Sequence, residues 1–325
     1  MVNGSELASR VQREKWAIKT KYRVMPMDFT KMRDGKSIVE VEEVGIATNT
    51  MSFEDYVEVR KAFLVLGMLN LRSNRGLLKF LAERGIRSYP ILQSLLDSIN
   101  GRADSGDEPV PATVKSMVDE FEQATRDELW DSPAEIQNFF QDDENFRSLV
   151  GGEYGRNLRF TYHMKGLWEA LEDWLTAIFR HAEAKLLESD PSPADVALFR
   201  EVTEFCMMRA HNLTGRDRMQ DTPRTSLTHD VPSWLTDPDG EPIQEFAFDS
   251  PRAAEFVLSD EQYRLLEDML GRFGDDEYGR AQIMRRINPN LLWRRCVIDS
   301  PMVRSAGEGL AVDSHADPFR SSQFN

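Results

Sequence analysis

The stretch Ser52-Phe53-Glu54-Asp55-Tyr56-Val57-Glu58-Val59-Arg60-Lys61-Ala62-Phe63-Leu64-Val65-Leu66-Gly67-Met68-Leu69 decides the fold class. It opens on a capping box: the Ser52 hydroxyl can accept an early helical N–H, and Asp55, three positions on, can return a bond to the Ser52 N–H. Behind that signal Tyr56, Val59, Phe63, Leu66 and Leu69 recur at intervals of three and four. Leu64, Val65 and Met68 widen the stripe until little polar surface remains, so the spacing predicts a buried helix. Toward the C-terminus, shorter helices are expected at Arg75 to Arg84, ended by Gly85, and at Pro90 to Ile99, ended near Asn100-Gly101. Arg102 to Pro111 reads as a linker, and the helix after it carries Val114, Met117, Phe121 and Leu129 on one face. The longest helix is expected between about Phe160 and Glu188, followed by one bearing Val196, Phe199, Val202 and Phe205. From Thr214 to Pro242 the pattern loosens. Ile243 to Phe248 then suggests a short strand, and Ser259 starts a helix through Phe273.

The residues before Ser52 have a different period. Ser5 can cap a short helix reaching Lys15, Lys21 to Met25 suggests a strand, and Arg33-Asp34-Gly35-Lys36 is a turn. Val39 and Val41 then alternate with Glu40 and Glu42, until Glu43 breaks the phase and suggests a bulge or a strand break. An isolated two-stranded ribbon is marginal in water, so this part is expected to be loosely held. The fold class is thus mainly α (α+β): a β-rich segment over 1–51, a helical domain over 52–213, a small α+β region over 214–300, and a disordered tail over 301–325.

Charge and composition narrow the function. Forty lysines and arginines stand against 55 acids in 325 residues, a net charge of −15. So acidic a surface repels phosphate backbones, so nucleic acid is not an expected partner. No stretch approaches the roughly 18 apolar residues of a membrane span, and a cytoplasmic location is expected. The two cysteines, Cys206 and Cys296, form no disulfide framework and cannot supply the three thiolates of a CxxxCxxC cluster loop. His181-Ala182-Glu183 lacks the later CxxC of a zinc deaminase. Phosphate-loop, dinucleotide and nucleophile-elbow motifs are missing as well.

What remains is sparse. Of the five histidines His163, His181, His211, His229 and His315, none has another three or four positions away. His229 with Asp230 lies on an irregular, proline-flanked segment, where functional groups concentrate, and forms the first candidate surface. Glu40 and Glu42 share one face of their strand and could line a cavity; a solvated strand edge is the plainer explanation. Glu169 and Asp173 suggest a wet helix face. Arg285, Arg286, Arg294 and Arg295 flank Trp293 in a basic patch, for which an intramolecular role fits the overall acidity better than RNA.

Several runs resemble cobalamin-binding radical SAM proteins: Val2-Asn3-Gly4-Ser5-Glu6, Lys19-Thr20-Lys21-Tyr22-Arg23-Val24-Met25-Pro26, Val41-Glu42-Glu43-Val44, and Thr48-Asn49-Thr50-Met51 leading into Ser52 to Tyr56. His229-Asp230-Val231-Pro232-Ser233-Trp234 and the segment Phe256 to Phe273 fit the same family's C-terminal region. The resemblance implies a region following the end of the radical SAM barrel, with Asn3 and Gly4 at its rim. It also implies that an iron-sulfur cluster, S-adenosylmethionine and cobalamin are held elsewhere, so no cofactor is expected on this chain alone. The matching partner would be a radical SAM core, from a missing N-terminal part or a neighbouring gene product. The expected function is then cover, specificity or docking. The alternatives are a stand-alone helical interaction protein and an enzyme without iron-sulfur chemistry around His229.

Overall fold

The computed structural model describes residues 6–102, 109–211, 221–284, 286–287 and 291–299. Asn3, Gly4 and Ser5, His315 and the expected tail over 301–325 lie outside the described residues, as does Arg285. The chain is mainly α (α+β), with a two-stranded sheet near one end of the sequence and a three-stranded sheet near the other.

Helix α1 (Arg10–Trp16) is capped by Ser9 and leads into the hairpin of β1 (Lys19–Lys31) and β2 (Ser37–Ala47). Both strands run further than the alternation suggested. The expected bulge at Glu43 is not there: Glu43 pairs in register with Tyr22, and the irregularities lie between Lys19 and Thr20 and between Val24 and Phe29. Glu43 sits at a position of otherwise apolar phase because it receives both terminal nitrogens of Arg13 from α1, at 2.6 and 2.5 Å. A phase break in sequence was an ion pair in space.

Helix α2 (Phe53–Leu69) starts at the expected capping box, with Asp55 N donating to Ser52 Oγ at 3.1 Å and Ser52 N to Asp55 Oδ2 at 2.8 Å. Its buried face differs from the one the spacing favoured. Val57, Lys61, Leu64, Val65 and Met68 are inside, whereas Val59 and Phe63 are about half exposed. Lys61 is tolerated there because its ammonium reaches Glu58, Glu122 and Asn100, at 2.6, 2.8 and 2.8 Å. Then come α3 (Arg75–Glu83), α4 (Ser88–Ile99) and α5 (Ala112–Asp127), close to their expected bounds. Leu129 is buried but lies beyond α5.

Two helices had no clear period: α6 (Pro133–Phe139) and α7 (Asp143–Gly151), each only two turns long. The expected longest helix is two, α8 (Leu158–Glu169) and α9 (Leu171–Leu187), because Ala170 leaves helical geometry at φ −136° and ψ 21°. The apolar stripe passes through the break unchanged, which is why spacing alone does not find it. Helix α10 (Pro193–Ala210) packs on α3 and α9. The three-stranded antiparallel sheet has the order β3 (Arg224–His229), β4 (Ala247–Val257), β5 (Arg295–Ile298). Helix α11 (Val231–Thr236) follows β3; α12 (Asp260–Phe273) and α13 (Glu277–Met284) follow β4. The strand expected at Ile243 begins only at Ala247, after a single 3₁₀ turn that buries Ile243.

One buried cluster runs from Leu64 and Trp174 through Trp234, Phe256 and Trp293, joining the helices to the C-terminal sheet. A second cluster contains Val24, Val39, Ile136, Phe140, Phe146 and Leu149, and it fastens the hairpin to α6 and α7. The loosely held ribbon is therefore corrected: its apolar face has a partner that the sequence periods did not reveal. Its edges are held too. Tyr22 and Trp130 exchange backbone bonds of 2.9 and 2.7 Å on the β1 side. On the β2 side Gln141 donates to Ser37 O at 2.9 Å and accepts from Ser37 N at 3.2 Å. Gln137 treats Val39 in the same way, so two glutamines one helical turn apart act as the missing strand.

Phe140→Ala removes the centre of the second cluster, a loss of about 3–5 kcal/mol for a buried phenylalanine. Hydrogen exchange should then accelerate at Val39 far more than at Ile178, and equal acceleration at both would contradict a separate hairpin core.

Candidate functional site

A cavity of about 410 Å³ opens between the C-terminal end of α10, α11, the start of α12 and the segment entering β5. Its polar wall is unusual in so acidic a chain, because Arg72, Arg209, Arg294 and Arg295 all border it. Arg294 is fully buried, and its guanidinium donates to the carbonyls of His211 at 2.9 Å and Asp221 at 2.7 Å. Its own backbone N–H donates to Arg209 O at 3.0 Å, which ties β5 to the end of α10. The intramolecular role expected for the basic patch thus holds for Arg294. Arg286 likewise turns back on its own helix region, donating to Gln282 O at 2.9 Å.

Arg209 and Arg72 are different. Arg209 is half-buried, and burial together with nearby Arg72 and Arg75 holds its guanidinium below the usual arginine range. Among the described residues neither Arg209 nor Arg72 forms an ion pair with a carboxylate, and Glu261 is the one acidic side chain on the wall. The lining also has an apolar part, Phe205, Leu235 and Leu265, with the Arg209 guanidinium 5.8 Å from the centre of the Phe205 ring one turn back on α10. Gln262 fixes the rim: it caps α12 by accepting from Ser259 N at 2.9 Å and donates to the carbonyls of Leu291 and Trp293 at 2.6 and 2.9 Å. Trp293 is buried, and its indole N–H has no partner among the described residues.

The residues singled out from sequence fall elsewhere. Asp230 caps α11, its Oδ1 accepting from Ser233 N at 3.0 Å, and its own N–H donates to Phe246 O at 2.8 Å. His229 Nδ1 lies 2.8 Å from Thr228 Oγ1 and 3.5 Å from Glu201, whose carboxylate also accepts from the N–H groups of Thr228 and His229 at 2.7 and 2.9 Å. These contacts hold β3 against α10. The rest of that run is structural as well: Trp234 is buried and donates to Glu83 at 2.8 Å. Glu40 is exposed, while Glu42 binds Arg23 at 2.7 Å. The structure does not bring the His229–Asp230 pair to the glutamates. Of the other histidines, His181 lies 2.8 Å from Ser94 Oγ and His211 is 3.7 Å from Glu172. Glu169 is exposed, and Asp173 accepts from Thr113.

Between hairpin and helices lies a second polar group. Glu128 receives Arg60 at 2.9 Å and Arg23 at 3.5 Å, and burial still pushes its carboxyl upward. Arg23 also binds Glu42, so the chain of charges runs from β2 through β1 to α2. Both thiols are held protonated by burial, Cys206 at about 11 and Cys296 at about 12. The described residues contain no group of three or more potential metal ligands, and no helix among them is long and apolar enough to cross a membrane. No family model matches the chain, and no curated protein is significantly similar to it.

Sequence reasoning had the arginines of the β5 segment but not Arg72 or Arg209, which come from distant parts of the chain. A basic residue closing an apolar helix, as Arg209 closes Phe205-Cys206-Met207-Met208, was the available signal.

His163 gives a pH test of the packing beneath. Burial, aided by Arg159, pushes its imidazole down to about 4. Below pH ~6.5 the unfolded chain takes up a proton that the folded one refuses, so stability is complete above that pH and falls toward pH 4. The loss is on the order of 3 kcal/mol at ~1.4 kcal/mol per pKa unit. His163→Gln should flatten the urea midpoint against pH over this range, and an unchanged slope would show that His163 does not supply it.

Proposed function

We propose that this chain serves as the C-terminal accessory region of a cobalamin-dependent radical SAM protein, covering and docking onto a core that holds the cluster, S-adenosylmethionine and cobalamin. The observation that carries the reading is the mounting of the hairpin. The runs that resemble the family, Lys19 to Pro26 and Val41 to Tyr56, form the first part of β1, the second part of β2 and the start of α2. Those elements are fastened to the helical body by the second core and by Arg23, Arg60 and Glu128. A segment next to a barrel in the intact family would need such a mount to hold the helices at a fixed place over the core.

The docking edge is shorter than the whole of β2. Ser37 and Val39 are already engaged by Gln141 and Gln137. From Val41 onward no side chain braces the outer backbone among the described residues, which leaves that part for another strand. An acid-base site at His229 has less support, because Asp230 spends its carboxylate on a helix cap.

The test is co-expression with a radical SAM core of this family from which its own C-terminal region has been removed. A stable complex on gel filtration is expected. Val41→Pro should weaken it at least tenfold, with a thermal melt confirming the fold, and Glu169→Ala should leave it intact. Failure of wild-type chain to bind any such core, or stoichiometric iron and sulfide retained by the isolated chain after anaerobic reconstitution, would overturn the reading.

A further inference from the structure

We infer that the arginine-bordered cavity is a binding site for a small organic anion, a carboxylate with an apolar body, held by Arg209 and Arg72. This stands apart from the radical SAM reading, since it rests on the cavity alone. The first argument is the deficit of counter-charge. Acids outnumber bases 55 to 40, and elsewhere arginines find them readily: Arg13, Arg23, Arg60, Arg84 and Arg126 all bind carboxylates. Arg209, half-buried beside Arg72 and Arg75, has three like charges in one neighbourhood and no carboxylate among the described residues. A partly desolvated cation that has arginines beside it and no ion pair of its own is unfavourable until an anion joins it.

Shape and chemistry then select the class of anion. A volume of about 410 Å³ is that of a small-molecule site. Phe205, Leu235 and Leu265 also line it, so an inorganic ion would leave apolar surface uncovered. Glu261 on the wall and the net charge of −15 act against polyanions such as nucleotides or nucleic acid. Planar guanidinium groups match carboxylate oxygens with paired N–H donors.

Calorimetric titration of the full chain with phenylacetate, phenylacetamide and inorganic phosphate tests this. Phenylacetate should bind saturably, and phenylacetamide, which lacks the charge, at least tenfold more weakly. Inorganic phosphate, which lacks the apolar body, should also be at least tenfold weaker. Arg209→Gln should reduce phenylacetate affinity at least tenfold. Arg72→Glu, at an exposed position whose loss leaves the core untouched, should do the same with an unchanged melting temperature. Equal binding of the acid and its amide, phosphate binding as tightly as phenylacetate, no binding of phenylacetate at all, or wild-type affinity in Arg72→Glu would each overturn the inference.

Discussion

Helices α2 and α8 each place a glycine against a side chain of the other where they pack together. A Cβ on Gly67 would stand 3.1 Å from His163 Nδ1 on α8, and a Cβ on Gly166 would stand 3.0 Å from Met68 Cε on α2. The exchange is reciprocal, so a side chain gained on either helix would press on a side chain of the other. Trp174, fully buried at the start of α9, lies at the same seat, its Nε1 only 3.2 Å from where that Gly166 Cβ would be. Dense interiors transmit such displacements. The crossing sets where α9 and then α10 lie, and hence where Arg209 enters its cavity.

This constraint also explains which parts of the fold were legible in sequence. The capping boxes at Ser52 and Ser259 report local chemistry, so they could be read without tertiary knowledge, and both helix starts are where the residues put them. The buried side of α2 could not be read, because it depends on what lies opposite. Phe63 and Val59 continue a perfectly helical stripe yet face outward, while Lys61 goes in because Glu122 and Asn100 wait there. Helices α6 and α7 are too short to show a period. Without them the hairpin had no visible partner, and the expectation of a loose ribbon followed directly from their omission.

The candidate residues divide along the same line. His229 and Asp230 stood out because the segment around them is irregular, but irregular backbone also needs caps, and Asp230 is one. A cap and a catalytic carboxylate look alike in sequence, since both want a polar side chain just before a helix. The cavity arginines show the opposite difficulty. Arg72 precedes α3, Arg209 ends α10, and Arg295 opens β5, so no spacing rule links them.

Electrostatics separates the two arginine groups more sharply than position does. At the hairpin, Arg23 and Arg60 converge on Glu128, whose carboxyl burial pushes upward while both cations oppose the shift. Each of these arginines has a carboxylate there, and the effect is to join β1, α2 and the residues after α5. In the cavity, Arg294 donates to the carbonyl oxygens of His211 and Asp221, and the Asp221 carboxylate also acts on its charge. Arg294 therefore secures β5 beside Arg209, whose own Nε donates to the Arg294 carbonyl at 3.4 Å. Neutral acceptors satisfy the hydrogen bonds of a guanidinium without cancelling its charge. A fold that uses one buried arginine to position a second, which pairs with no carboxylate among the described residues, keeps a cation on a cavity wall inside an acidic molecule, and that cation is what distinguishes this cavity from a packing defect.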